Sequence, residues 1–306
     1  MSKHVLKVTP ENSQTRLDVF LTQSLPDVPS RTFVQKLIEE DQVKVNQKKA
    51  RSNYKVREGD EIEVLLDEKA LRRPDLNPEN IPLDIFYEDE DLLIINKASG
   101  MLVHPAQSNY SGTLVNALLG YSRELSDVNS KIRPGIVHRL DQETSGLMVV
   151  AKDNRTHVRL ARQFQKHQVR KRYTALVEGH VEFDGGKIDA PLGRNIFHRE
   201  KKAVQFDDDA KDAVTYYKVI KASGGATLIA LFPETGRTHQ LRVHMAHIGH
   251  PILGDEKYGK KNTFPRLALH AHCLAFTHPR TKVPVEFSAP PPKEFYLKVG
   301  INLERA

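Results

Sequence analysis

Residues 67–82, DEKALRRPDLNPENIP, carry three prolines and dense charge and have no sustained apolar period. Such a stretch cannot build a core element, so it reads as a linker. It therefore limits the fold. About 50 residues, 15–66, must form one small unit, and everything from 83 to 306 must form another.

In the small unit Leu17, Phe20, Leu21 and Leu25 recur at helical spacing, and Pro26 and Pro29 end that helix. Ser30 is a fitting N-cap for a second helix with Phe33, Val34, Leu37 and Ile38 on one face. Val43 and Val45, then Ile62 and Val64 after a Glu58-Gly59-Asp60 turn, alternate as strands do. So little core does not suit independent catalysis. Its charge is one-sided. Lys44, Lys48, Lys49, Arg51, Lys55 and Arg57 lie between Gln42 and Arg57 without an acid, which favours contact with a polyanion.

Beyond 83 the pattern turns to strands at Ile85–Tyr87, Leu92–Ile95, Ile136–Val137, Leu147–Ala151, Tyr173–Val177, Val214–Ile220, Thr227–Phe232 and Leu269–Phe276. Glu88–Asp91 reads as a hairpin turn. Helical patterns are fewer: Thr113–Leu119, Arg155–Val169 and Leu241–His247. Many strands with scattered helices predict an α+β fold rather than regular βαβ alternation.

HRLDQETSGL, residues 138–147, lies between Ile136-Val137 and LMVVA, so it is expected to be a loop joining two buried strands. A short acid raised on such a loop suits chemistry, although an Asp in a turn also bonds its own backbone. Spacing alone does not separate Asp141 from Glu143. The segment from Asn154 to Val177 also lacks any acid and holds Arg155, Arg159, Arg162, Lys166, Arg170, Lys171 and Arg172. With Val158, Ala161 and Phe164 as the buried side of a helix, these cations would face out towards phosphates. Tyr173 follows, where its ring could stack on a base.

ETGRTHQLRVHMAHIGHP, residues 234–251, contains His239, His244, His247 and His250. His244 and His247 could share a helix face, but His250 drifts off it, and no HExxH pattern supports zinc. Arg237 and Arg242 could hold a carboxylate in its charged form. GDEKYGKK, residues 254–261, fits GxxxxGK but places Lys261 where a phosphate loop needs a hydroxyl. The single cysteine, Cys273, excludes an internal disulfide and fits a reducing compartment. No signal-like start and no apolar run of ~20 residues appears, so the expectation is a cytoplasmic protein without a membrane partner. The formal net charge of +7 agrees with an anionic partner.

SRTFVQKLIEEDQVKVNQ followed by VREGDEIEV resembles the RNA-binding module named after small-subunit ribosomal protein S-four, an αL-type module, with Asp41 where that family usually has Gly. HRLDQETSGL, KRYTALVEG, GRTHQLRVHMAHIGHPILGDEKYG and LALHAH, in that order, resemble the RluA/RluD family of RNA pseudouridine synthases over nearly the whole chain. YEDEDLLIINKASGMLVHP also fits, with Ala98 replacing the usual Pro. The resemblance implies a mixed, mainly antiparallel central sheet with a small N-terminal RNA-binding domain. It implies isomerisation of uridine to pseudouridine in structured RNA, large-subunit ribosomal RNA or an assembling subunit, by a monomer. No metal, nucleotide or redox cofactor is implied. By the same likeness Asp141 is the catalytic aspartate, Tyr173 stacks on the target base and Arg242 pairs with the aspartate. Arg139 helps fill the gap left by the base. Two other classes stay open: an RNA-binding assembly factor without catalysis, and a metal-dependent hydrolase built on the histidines.

Overall fold

The computed structural model describes the chain apart from residues 1, 26–27, 29–30, 68–75, 106–108, 123, 129–132, 196, 199 and 303–306. The expected helix breakers Pro26 and Pro29, the Ser30 cap and residues 68–75 of the linker lie outside the described residues. Two compact units emerge, Met1–Asp75 and Leu76–Ala306.

In the first unit, strands β1 (Ser2–Lys7), β2 (Val43–Val45), β3 (Lys48–Lys49) and β4 (Glu61–Leu66) form an antiparallel sheet in the order β1-β4-β2-β3. Helices α1 (Leu17–Ser24) and α2 (Arg31–Glu39) cover it. Leu17, Phe20, Leu21, Val34, Leu37 and Ile38 pack on Val43, Val45, Ile62 and Val64. The fully buried Asp18 accepts bonds from Arg16, Arg31 and Gln35. Burial alone would raise its pKa, but these partners outweigh it and hold the carboxyl at about 2. Asp41 sits at φ +60, the left-handed region that explains glycine as the usual residue there. β1 begins before residue 15, where no sequence period marks it.

The second unit runs in chain order β5 (Ile85–Glu88), β6 (Leu92–Lys97), α3 (Leu114–Tyr121), β7 (Ser145–Ala151), α4 (Asn154–Gln165), β8 (Arg170–Glu178), β9 (Gly185–Asp189), β10 (Leu192–Arg194), β11 (Lys202–Val204), β12 (Val214–Ser223), β13 (Ala226–Pro233), α5 (Gln240–His247), β14 (Leu269–Thr277), β15 (Pro284–Ser288) and α6 (Lys293–Lys298). Nine strands form one sheet in the order β5-β6-β7-β14-β8-β13-β12-β9, with β15 beside β14. Among the described residues only the β7–β14 pair is parallel. The architecture is α+β with a mixed, mainly antiparallel central sheet.

β7 is buried along its whole length, which is why it reads as a continuous apolar run rather than an alternating one. Met148 and Val150 pack with Leu93, Ile95, Leu114 and Leu118 on one face. Leu147 and Val149 pack with Leu92, Ile94 and Leu160 on the other. A third core joins β8 and β13 to α5 and α6 through Leu176, Ile229, Leu241, Met245 and Phe295.

Three details differ from the expectation. Ile136 makes only an isolated bridge to Val150 instead of opening a strand. α4 stops at Gln165, because His167 turns left-handed at φ +55. Its buried face is Thr156, His157 and Leu160, leaving Val158 48% exposed. Asp153, which accepts from the Arg155 and Thr156 amides, sets the helix start and hence this register.

Candidate active site

The segment between Ile136 and β7 is fastened at several points. His138 Nε2 accepts the Val149 amide at 3.0 Å, and its ring stacks on Phe164 at 4.6 Å. Burial, with Lys171 nearby, holds the His138 pKa down at about 3, so the ring is neutral and structural. The Asp141 carbonyl accepts the Thr144 amide. Gly146, at φ +115, lies where a Cβ would be 2.4 Å from the Ala271 carbonyl oxygen, so the parallel contact with β14 admits only glycine.

The buried Lys97, at the end of β6, donates to the carbonyls of Ala98, Met101 and Gln142 at 2.7, 2.9 and 3.0 Å. Gln142 also exchanges bonds with the Gly100 main chain, and Ser99 Oγ donates to the Glu143 carbonyl. The hairpin thus clamps the loop from another part of the chain. Burial, then Arg266, lowers the Lys97 pKa to about 8 against the pull of Glu143 and Asp141.

Arg242 projects from α5 and is buried. Its Nε and Nη2 donate to the two oxygens of Asp255 at 2.7 and 2.8 Å, a fork-to-fork pair. Nη1 is left for other acids: Glu143 at 3.2 Å and Asp141 at 3.7 Å. Burial would lower the Arg242 pKa, but Asp255 outweighs it and raises the value further above the usual arginine range. Asp141 and Glu143, inseparable by spacing, now part company. Asp141 lines a cleft of about 510 Å³, with 15% of its side chain exposed. Glu143 is 49% exposed and lines a different hollow, with Lys261 and Arg266.

Arg139, Tyr173, Lys171, His239 and Arg242 line the same cleft as Asp141. Tyr173 stands on β8, half-buried, and burial together with Asp141 raises its phenol pKa. Lys171 does not face out as expected. It is half-buried, reaches the Thr235 carbonyl at 3.4 Å, and burial lowers its pKa to about 8. Arg172, next along the strand, bonds His272, and so also departs from the outward row. Arg155, Arg159, Arg162, Lys166 and Arg170 are exposed, but none lines the cleft. Arg159 donates to the Pro279 carbonyl, and Arg170 lies 3.7 Å from Glu286. In the first unit Lys44, Lys48, Lys49 and Arg51 are all exposed, and Lys49 pairs with Asp41.

A sequence model described as RNA pseudouridylate synthase matches residues 91–247, which span the loop, β8 and α5. The chain belongs to that family. It is an RNA pseudouridine synthase, an isomerase, and residues 15–62 match the S4 domain. An uncharacterized RNA pseudouridine synthase of Bacillus subtilis, YlyB, is 43% identical over 297 residues, 96% of both chains. Ribosomal large subunit pseudouridine synthase D of Zymomonas mobilis is 48% identical over 74% of this chain and 75% of its own. The protein of the same name from Haemophilus influenzae is 39% identical over 94% and 91%. A solved structure, human RNA pseudouridylate synthase domain containing 1, matches with TM-score 0.59 and 27% identity over 73% of this chain and 92% of its own.

In this synthase three of the four histidines expected as possible metal ligands, His239, His244 and His250, have separate partners. His244 is buried, with its nitrogens on Thr215 Oγ1 and the Ala190 carbonyl, and His250 bonds the Glu178 carbonyl. Among the described residues none of the four joins a group of three potential ligand atoms. The GxxxxGK stretch forms turns, and its work is to deliver Asp255 to Arg242. Sequence reasoning missed Asp255, Lys97 and Tyr258. All three fall inside the motif stretches, but nothing in their spacing marks them, since their partners, Arg242, His239 and the carbonyls around Lys97, are brought together only by the fold.

Proposed function

We propose that this synthase isomerises specific uridines of large-subunit ribosomal RNA, with Asp141 as the single carboxylate that acts at the sugar. The observation that carries the reading is Asp141 opening on the same cleft as Tyr173 while lying 3.7 Å from the buried Arg242. In the reaction the C1′–N1 bond breaks, the base turns, and a C1′–C5 bond forms. The hydrogen on C5 leaves as a proton and N1 gains one. No group departs and no water is consumed. One carboxylate can therefore serve, as nucleophile or as base at the sugar. A glycoside hydrolase needs a second acid with its own task.

A stacked uridine hides its glycosidic bond, so the nucleotide leaves the stack at a cost of roughly a few kcal/mol. In this reading Tyr173 stacks on the extruded base, Arg139 occupies the gap and Arg242 holds Asp141. Lys171 meets a phosphate within the cleft, while the exposed cations of α4 and of β2–β3 hold the flanking RNA. Residues 15–66 serve as the RNA-binding domain, 67–82 as linker and 83–306 as the catalytic domain of a cytoplasmic monomer. No metal, nucleotide or redox cofactor enters this scheme.

RNA tritiated at uracil position 5 tests it, because turnover releases that hydrogen. Total RNA from cells lacking the gene should yield tritium with the wild-type chain. With Asp141→Asn it should yield none, at unchanged RNA affinity. Release by the variant removes Asp141 from the chemistry. No release by either chain, with RNA still bound, points to a binding factor instead. Mapping pseudouridines with and without the gene identifies the target uridine.

A further inference from the structure

The turn Gly254–Gly259 holds a second cleft residue besides Arg242. The Tyr258 hydroxyl accepts the backbone N–H of Lys202 at 2.9 Å and lies 2.7 Å from His239 Nδ1. An oxygen that has accepted an amide proton still has its own to give, and Nδ1 is the acceptor in reach. Tyr258 therefore donates to Nδ1, which places the proton of the neutral imidazole on Nε2. Burial, aided by Arg242 and Lys257 and opposed by Asp141, lowers the His239 pKa and keeps the ring uncharged. The same tyrosine packs edge-on to the His239 ring, at 5.5 Å and 71°, and 5.4 Å beneath the Arg242 guanidinium. His239 precedes α5 with φ +58 and bonds the helix through no side-chain cap. Its Nε2 has no protein partner among the described residues, and the ring lines the cleft beside Asp141 and Tyr173.

We infer that His239 donates a hydrogen bond from Nε2 to a carbonyl oxygen of the uracil as it detaches, with Tyr258 as the positioning residue that fixes the tautomer. The inference rests on the pseudouridine reading. When C1′–N1 breaks, the electron pair stays with the base, and negative charge spreads over N1 and the two carbonyl oxygens. A fixed neutral donor in a half-buried cleft strengthens its bond as that charge grows. The donor also suits an oxygen acceptor rather than an amino group, and so favours uracil over cytosine wherever the contact falls on ring position 4.

The test pairs atoms of the substrate with atoms of the protein. A short RNA containing the mapped uridine is made with uridine, 2-thiouridine or 4-thiouridine at that position. Single-turnover conversion is followed by nucleoside chromatography for the wild type, His239→Phe and Tyr258→Phe. Sulfur is a poor acceptor, so one of the two thio RNAs should be slowed about 10- to 100-fold in the wild type. In His239→Phe the uridine RNA should already be slowed to a similar degree, and that thio RNA should lose little more. Which RNA shows this coupling identifies the oxygen. Tyr258→Phe should lower the rate constant and leave RNA affinity intact, with partial coupling to the same thio RNA. Equal slowing of both thio RNAs in wild type and His239→Phe overturns the inference, as does an unslowed His239→Phe. Where His239→Phe does not fold, Tyr258→Phe carries the same cycle, and additivity there is equally fatal. A wild-type chain inactive on the uridine RNA refutes the enzymatic reading itself, a distinct outcome.

Discussion

Asp255→Asn is the substitution that most directly probes how the cleft is built. Asp255 Oδ1 accepts the Lys257 and Tyr258 amides at 3.0 and 3.1 Å as well as Arg242 Nη2, while Oδ2 takes Arg242 Nε. An asparagine can keep its one carbonyl towards the amides, but its NH2 then meets the Arg242 Nε–H, donor against donor. Each charge-assisted bond is worth about 1.5–3 kcal/mol. The guanidinium is not left alone, because Glu143 and Asp141 remain at 3.2 and 3.7 Å. The loss should therefore fall near the low end of the roughly 3–5 kcal/mol for breaking a buried pair, at about 3 kcal/mol. In a unit of this size that lowers the melting transition by about 6–12 °C. Arg242 should also swing towards the two remaining acids and draw Asp141 from its place in the cleft, which under the role proposed for Asp141 costs about a hundredfold in turnover. Calorimetry on the full chain, resolving the two units, and tritium release give the readouts. A melting shift under about 2 °C with unchanged turnover would refute the reasoning that Asp255 sets Arg242.

Gly146→Ala should destabilise the larger unit by about 3 kcal/mol or more, since the new Cβ meets Ala271 backbone at an unfavourable φ; a denaturant midpoint like that of the wild type would contradict this. Lys171→Met should weaken RNA binding and lower the slope of log affinity against log salt by about 1. Wild-type affinity should fall as pH rises through about 8, where Lys171 loses its proton, and the variant should lack that step in a binding titration. Asp18 has a folded pKa of about 2, below its unfolded value, so its contribution is full above the unfolded pKa and is lost as pH falls through the folded one. Asp18→Asn should therefore cost the small unit about 2 kcal/mol at pH 7 and progressively less towards pH 2 in urea titrations.

Sequence made the buried strands legible because β6 and β7 are apolar on both faces and long enough to read. The motif loop was legible as a loop, since Thr144-Ser145-Gly146 marks its turn. The orientation of α4 was misread, because Val158 and Leu160 both look like core and only the Asp153 cap decides which turns inward. β1 and the β10–β11 ribbon left no trace, being short or half-exposed. Spacing left Asp141 and Glu143 level and the motif likeness singled out Asp141; that the two acids, both within reach of Arg242, line different hollows was not legible, because it depends on where the fold brings Arg242. Lys171 was misplaced because strand alternation sends it to the opposite side from Arg172 within what reads as one cationic run.

Lys97 spends its ammonium on three carbonyls, one of them in the motif loop itself. Part of the loop's stiffness is thus imported from the hairpin, beside the ties that His138 makes to β7 and the Glu143 carboxylate makes to Arg242. Removing the Lys97 ammonium would therefore loosen the motif loop, whereas damage to the apolar strand that ends in it, whose Leu92, Leu93, Ile94 and Ile95 are buried in two cores, would cost the larger unit its stability.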